Sequence, residues 1–181
     1  KIKEMACLAT AGFLVDCKNY VGGIKAFWIG PYATISNAAT IDPTTEQITA
    51  LPAATWETYN IKPHTGKFVE AATVSKENNT IFYTQTLTAQ FTKLSAARRL
   101  QLDTFSRGRH VIIVQDNNDN YWLMGYKDGA EVATESTETG TTKIDFNGYK
   151  ITFTAEEIHK AYRLADSIVN DFDGTIDAPT L

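Results

Sequence analysis

A chain of 181 residues with a net charge of −4 and a pI near 5.4 is poorly suited to coating nucleic acid, because phosphate neutralisation needs clustered Lys and Arg. Its 43% hydrophobic and 21% charged residues are enough for one core, so one domain, or one domain with an extended arm, is expected. The two cysteines, Cys7 and Cys17, provide neither a metal quartet nor a disulfide framework. A single bridge is possible, but two reduced thiols in a cytoplasmic protein are the expected state.

In chain order, Lys1 and Lys3 precede a modest apolar run with a small-residue triplet, Ala9-Thr10-Ala11. Glu4 interrupts the basic end and Leu8 is the single large aliphatic residue between Met5 and that triplet, so a signal peptide is not expected. No stretch is long enough to span a bilayer, and the protein is expected to be soluble. Residues 1–23 read as an N-terminal arm ending in Gly22-Gly23. A strand follows over residues 24–29, stopped by Gly30-Pro31. Residues 33–54, rich in Ala and Thr and broken by Pro43 and Pro52, read as a strand pair or a projecting loop. Residues 56–62 and 67–75 are two further strands joined through Pro63-His64-Thr65-Gly66.

The turn Glu77-Asn78-Asn79 launches the most sharply patterned segment, residues 80–92. One face reads Ile81, Tyr83, Gln85, Leu87, Ala89, Phe91; the other reads Phe82, Thr84, Thr86, Thr88, Gln90, Thr92. Period two makes this a long strand with one apolar and one wet face. The wet face lacks the Lys and Glu of an ordinary outer surface, which suits a channel wall or a contact with a neighbouring copy.

A helix is expected at about 95–107, capped by Ser95 and closed by Gly108. Residues 109–115 form a β-branched strand that reads as buried on both faces. After the turn at 116–120, residues 121–126 return, and Asp128-Gly129 turns the chain again. Residues 134–142 read as a mobile loop or the solvated tip of a hairpin. Asn147-Gly148 predicts a type I′ hairpin between Ile144-Asp145-Phe146 and residues 149–153. Thr154 and Glu157 resemble a capping box, and the stripe Ile158, Ala161, Tyr162, Ala165, Ile168, Val169 predicts a second helix from Ala155 to about Val169. The fold expected is mainly β (α+β), a β-sandwich or partial barrel with one or two flanking helices. The domain plan is arm 1–23, β-rich body 24–154, and C-terminal helix and tail 155–181.

Residues that could carry chemistry are few. Asp171-Phe172-Asp173-Gly174-Thr175 matches the DxDGT signature of haloacid-dehalogenase phosphatases, yet it follows an amphipathic helix near the end of the sequence instead of a buried strand. A polar helix end is the better account. Asp116, Asn118 and Asn120 have EF-hand spacing, but Tyr121 stands where Gly is required and no Glu follows at the twelfth position. His64, His110 and His159 are scattered. The basic cluster Arg98, Arg99, Arg107 and Arg109 reads as a solvated helix face with partner carboxylates. Aromatic residues interleave with Thr, Gln and Asn, not with Lys and Arg, so they suit core and subunit contacts better than base stacking. No catalysis, cofactor or metal is expected.

The order of motifs resembles a known family. Tyr59-Asn60-Ile61-Lys62-Pro63 leads through Gly66-Lys67-Phe68 to Glu77-Asn78-Asn79-Thr80 and the Thr-rich strand. Next come the helix, Val-Ile-Ile-Val-Gln-Asp at 111–116, Tyr-Trp-Leu-Met-Gly-Tyr at 121–126, Thr139-Gly140, Phe146-Asn147-Gly148-Tyr149 and Ile151-Thr152-Phe153-Thr154. This order resembles the tail tube proteins of tailed bacteriophages that infect Bacteroidetes-type hosts, over roughly two thirds of the chain.

The resemblance implies a virion structural protein that assembles in the host cytoplasm into the phage tail. Homo-hexameric rings would stack, and their sheets would join between subunits into a tube. Its partners would be copies of itself, other tail proteins and phage DNA passing through without specific binding, with no membrane. Thr84, Thr86, Thr88 and Gln90 are then candidates to face the lumen. Scattered anchors in the arm and in the 33–54 segment, Leu8, Phe13, Leu14, Ile41, Ile48 and Leu51, are candidates for contacts between rings. The alternatives are another virion component (a tail terminator or head decoration) or a carbohydrate-binding β-sandwich using Trp56 and Trp122.

Overall fold

The computed structural model describes residues 12, 13 and 18–168. Those residues form a mainly β structure of two sheets with no closed barrel. The chain runs β1 (Ile24–Pro31), α1 (Tyr32–Ile35), β2 (Thr40–Ile41), β3 (Gln47–Ala50) and β4 (Glu57–Asn60). It continues through β5 (Lys67–Ser75), β6 (Thr80–Thr92), α2 (Ala96–Phe105), β7 (His110–Asp116) and β8 (Tyr121–Met124). β9 (Glu131–Glu138), β10 (Gly148–Glu157) and β11 (Tyr162–Leu164) complete it. One sheet has seven strands in the order β2-β3-β11-β8-β7-β1-β4; the other has four, in the order β5-β6-β10-β9. The expected sandwich with a flanking helix is therefore present.

Alternation within the strands builds the core between the sheets. Phe27, Ile29, Ile112, Val114 and Met124 from the larger sheet meet Leu87, Ala89, Ile151, Phe153 and Ala155 from the smaller one, with Leu102 and Phe105 of α2 closing the cluster. β7 is buried on both faces, as its unbroken β-branched run predicts. Val111 and Ile113 point the other way, into a second core with Trp28, Ile35, Ile48, Trp56, Leu123 and Leu164. There the larger sheet is covered by α1 and the weakly patterned segment after it. Gly30 permits that cover, since a Cβ on it would come within 2.7 Å of the Trp56 ring.

Three expectations fail for physical reasons. Residues from 155 onward do not start a helix: β10 runs to Glu157, β11 follows, and helix is found at 166–168. Tyr149, Ile151, Phe153, Ala155 and Glu157 continue one inward-facing alternation, paired with β6 from Gly148↔Thr92 to Glu157↔Tyr83. A capping box is a local contribution of about 1 kcal/mol, and that ladder with its buried side chains outweighs it.

The Asn147-Gly148 hairpin is also absent. Ile144 to Phe146 lie in the connection between β9 and β10, and neither Asn147 nor Gly148 has a positive φ. Gly148 is needed for close approach, because a Cβ there would run into the Phe91 carbonyl oxygen of β6.

The polar tract 134–142 is mostly strand. β9 pairs with β10 from Thr154↔Glu131 to Gly148↔Glu138. As an edge strand with few inward groups, of which Val132 packs on the core, it needs no hydrophobic alternation, so the sequence pattern hid it.

Candidate assembly surface

Thr84, Thr86, Thr88 and Gln90 lie on β6, on the face opposite Gln85, Leu87 and Ala89, which are buried in the core. They thus stand on the outer face of the four-stranded sheet, half-buried between neighbours on both sides. On one side Thr152 faces Thr88, Thr154 faces Thr86, and Lys150 faces Gln90 across β10. On the other, β5 sets Lys67 beside Thr88, Val69 beside Thr86 and Ala71 beside Thr84. Thr134 and Ser136 of β9 extend the row past Thr152 and Lys150.

The structure therefore gathers threonines that the sequence spreads over three strands. It also adds charge that the β6 pattern lacks. Lys150 is held by Glu138 at 2.8 Å, Glu156 faces Thr84, and Lys67 lies at the opposite side. Positive and negative groups on this face are balanced, and the threonine stripe between them is neutral. Such a surface offers hydroxyl and methyl groups but no concentrated field for phosphate.

Both edges of this sheet are long and lack proline: β5 has 9 residues and β9 has 8. Each of the three pairings in the sheet is antiparallel, so β5 and β9 run in opposite directions. A neighbouring copy placed side by side would set its β5 antiparallel to this β9.

The proposed ring contacts fare differently. Phe13 is fully exposed, whereas Ile48 is wholly buried in the second core. Ile41 and Leu51 are half-buried and pack on that same core, so the chain itself already uses them. Leu8 and Leu14 lie outside the described residues, as do Cys7, Cys17, Val169 and the Asp171–Thr175 motif. Trp56 is 4% exposed and has no open ring face for a sugar. Trp122 is half-buried and lines an open cleft with Phe68, Asp116 and Asn118. Asp116 closes its own turn, accepting from the N–H groups of Asn118 at 2.8 Å and Asn120 at 2.9 Å and from the Asn120 amide at 2.9 Å. The described residues contain no group of three or more His, Cys, Asp and Glu arranged to hold a metal ion.

Two polar clamps were not anticipated. Asn118 accepts from the Val21 N–H at 3.0 Å and donates to the Val21 carbonyl at 2.8 Å, imitating a strand partner. Asn117 donates its side-chain amide to the Gly22 carbonyl at 2.6 Å. Together they fix where the N-terminal segment leaves the body. Gln85 and Glu157 form the second clamp, on the connection from β8 to β9. The sequence signal for it was a Gln in an otherwise apolar face. Burial pushes the Glu157 carboxyl up, against the opposing effect of the Asp128 and Lys127 N–H groups that it accepts. His110, packed against Phe105 and Phe153, is pushed down by burial.

No protein-family model matches this chain, and no curated protein matches it in sequence. Among the described residues no helix is long and apolar enough to cross a membrane.

Proposed function

We propose that this chain is the tail tube subunit of a tailed bacteriophage, a structural protein without catalysis that polymerises around a DNA conduit. The observation that carries the reading is the four-stranded sheet: a neutral threonine stripe on its outer face, flanked by two long open edges of opposite direction. Rotating copies about a common axis joins β9 of one to β5 of the next and removes every free edge of that sheet. The stripe then lines the closed surface. A lumen of hydroxyls and balanced charge lets DNA pass, where clustered Lys or Arg would hold it. The protein would reside in the virion tail after assembly in the host cytoplasm, contacting its own copies and other tail proteins.

Negative-stain imaging of the purified protein tests this reading. Rings or tubes with a central channel are expected. A protein that remains monomeric at high concentration, or that binds sugar through the cleft beside Trp122, would overturn it.

A further inference from the structure

The two ends of the four-stranded sheet carry exposed aliphatic groups that the fold leaves without contacts. At one end the β5–β6 pair outruns its neighbour. β10 stops at Glu157↔Tyr83, while β5 and β6 continue through Thr73↔Phe82, Val74↔Ile81 and Ser75↔Thr80. Val74 and Ile81 are direct cross-strand partners, on the face that turns inward farther along the strand. With no third strand there, they are 61% and 48% exposed, and Ile158, next after β10, is 54% exposed.

At the other end, residues 139–147 join β9 to β10, and Ile144 is 95% exposed. This is not a loose loop. The Asp145 carboxylate accepts from the N–H groups of Thr141 at 2.8 Å and Thr142 at 2.6 Å, and the Asn147 amide donates to the Thr139 carbonyl at 3.3 Å. Gly140 supplies the positive φ the turn requires. Ile144 is thus presented on a hydrogen-bonded scaffold, about 40 Å from the hairpin tip along a strand of this length.

We infer that the Val74–Ile81 face receives the Ile144 loop of a second copy of this chain, stacked end to end along the strand direction. The two surfaces lie on one molecule and at opposite ends. The contact is therefore heterologous and does not close on itself, so it propagates as a filament. A shape with one paired aliphatic face and one projecting isoleucine commits the occupant to another copy, because each surface supplies what the other lacks. This inference rests on the tube reading above and adds to it the surfaces that meet between successive rings. It places that contact on residues other than Ile41, Ile48 and Leu51, which the chain buries against its own core.

The test uses the full chain with Cys7→Ser and Cys17→Ser. Val74→Cys and Ile144→Cys variants are prepared separately, mixed and oxidised, and assemblies of Ile144→Asp and Val74→Asp are imaged beside the parent. The expected result is a cross-link between the two different cysteine variants, with the Asp variants giving single rings in place of stacks. Both sites are exposed, so every variant should remain folded by circular dichroism. Homotypic cross-links in place of the mixed one, or stacks of unchanged length in both Asp variants, would overturn the inference and leave the ring reading standing. A parent protein that forms no rings at all would overturn both.

Discussion

Gln85 and Glu157 sit on adjacent strands, one register step apart, and hold the same connection from opposite sides. The Gln85 carbonyl oxygen accepts from the Gly125 N–H at 3.1 Å. One oxygen of Glu157 accepts from both the Lys127 N–H at 2.9 Å and the Asp128 N–H at 3.0 Å. Ala155 is the direct partner of Gln85, so the two side chains stand diagonally on the inward face of the small sheet. The loop they hold carries the chain from the larger sheet to the smaller one. The clamp thereby ties the two layers where no apolar contact could satisfy the backbone of the turn.

Glu157→Ala should destabilise the protein by about 1–3 kcal/mol, since two N–H groups lose their acceptor in a buried site. Glu157→Gln keeps an oxygen acceptor at the same position and should retain most of that stability. Because burial raises the Glu157 pKa in the fold, folding favours its protonated form. Its contribution is fullest below the unfolded carboxyl pKa and is lost as pH rises through the folded value. Glu157→Gln should therefore gain on the parent as pH rises from about 4 to about 8. Thermal melts of both proteins across that range would decide the sign, and a gap that narrows with rising pH would refute it.

Ile48→Ala separates a core role from a contact role. A wholly buried isoleucine truncated to alanine costs about 2–5 kcal/mol. Urea titration should show that loss in the isolated subunit, before any assembly. An unchanged midpoint would mean the side chain does not pack as described.

Asn118→Ala should leave the body folded and free the segment at Val21. Exposed hydrogen bonds contribute about 0.5–1.5 kcal/mol each, so global stability should fall only slightly. Limited trypsin digestion should cut faster after Lys18. Equal cutting in parent and variant would show that Asn118 does not anchor this segment.

If copies join edge to edge, amide exchange should slow in β5 and β9 on assembly. Exchange in β6 and β10, already paired on both sides, should change far less. Protection appearing instead along β2 or β4 of the larger sheet would place the contact on the other layer.

Thr86→Lys with Thr88→Lys should alter function without altering the fold, because exposed substitutions of this kind stay within about 0.5 kcal/mol. Assembled tubes of the double variant should retain DNA in a salt-dependent manner, whereas tubes of the parent should not. Retention by the parent at low salt equal to that of the variant would contradict a neutral lumen.

What the sequence determined by itself was the set of strands whose burial leaves a periodic trace. β6 alternates because one face meets the core, and β7 is continuously β-branched because both faces do, so each could be read from its own residues. The cap of α2 was equally local: Ser95 accepts from the Arg98 N–H, a relation confined to neighbouring residues. The tertiary structure alone decided the rest, because the deciding partners were distant. Thr154 and Glu157 look like a helix start until β6 is placed beside them. β9 looks like a loop because an edge strand is asked to bury little. Ile48 looks like a surface anchor until the outer face of the larger sheet, formed by strands far away in the chain, needs a cover. The neutral stripe was legible on β6, but the opposing threonines of β10 and the charges beside them came from pairing, which is a long-range choice made by the whole hydrophobic core.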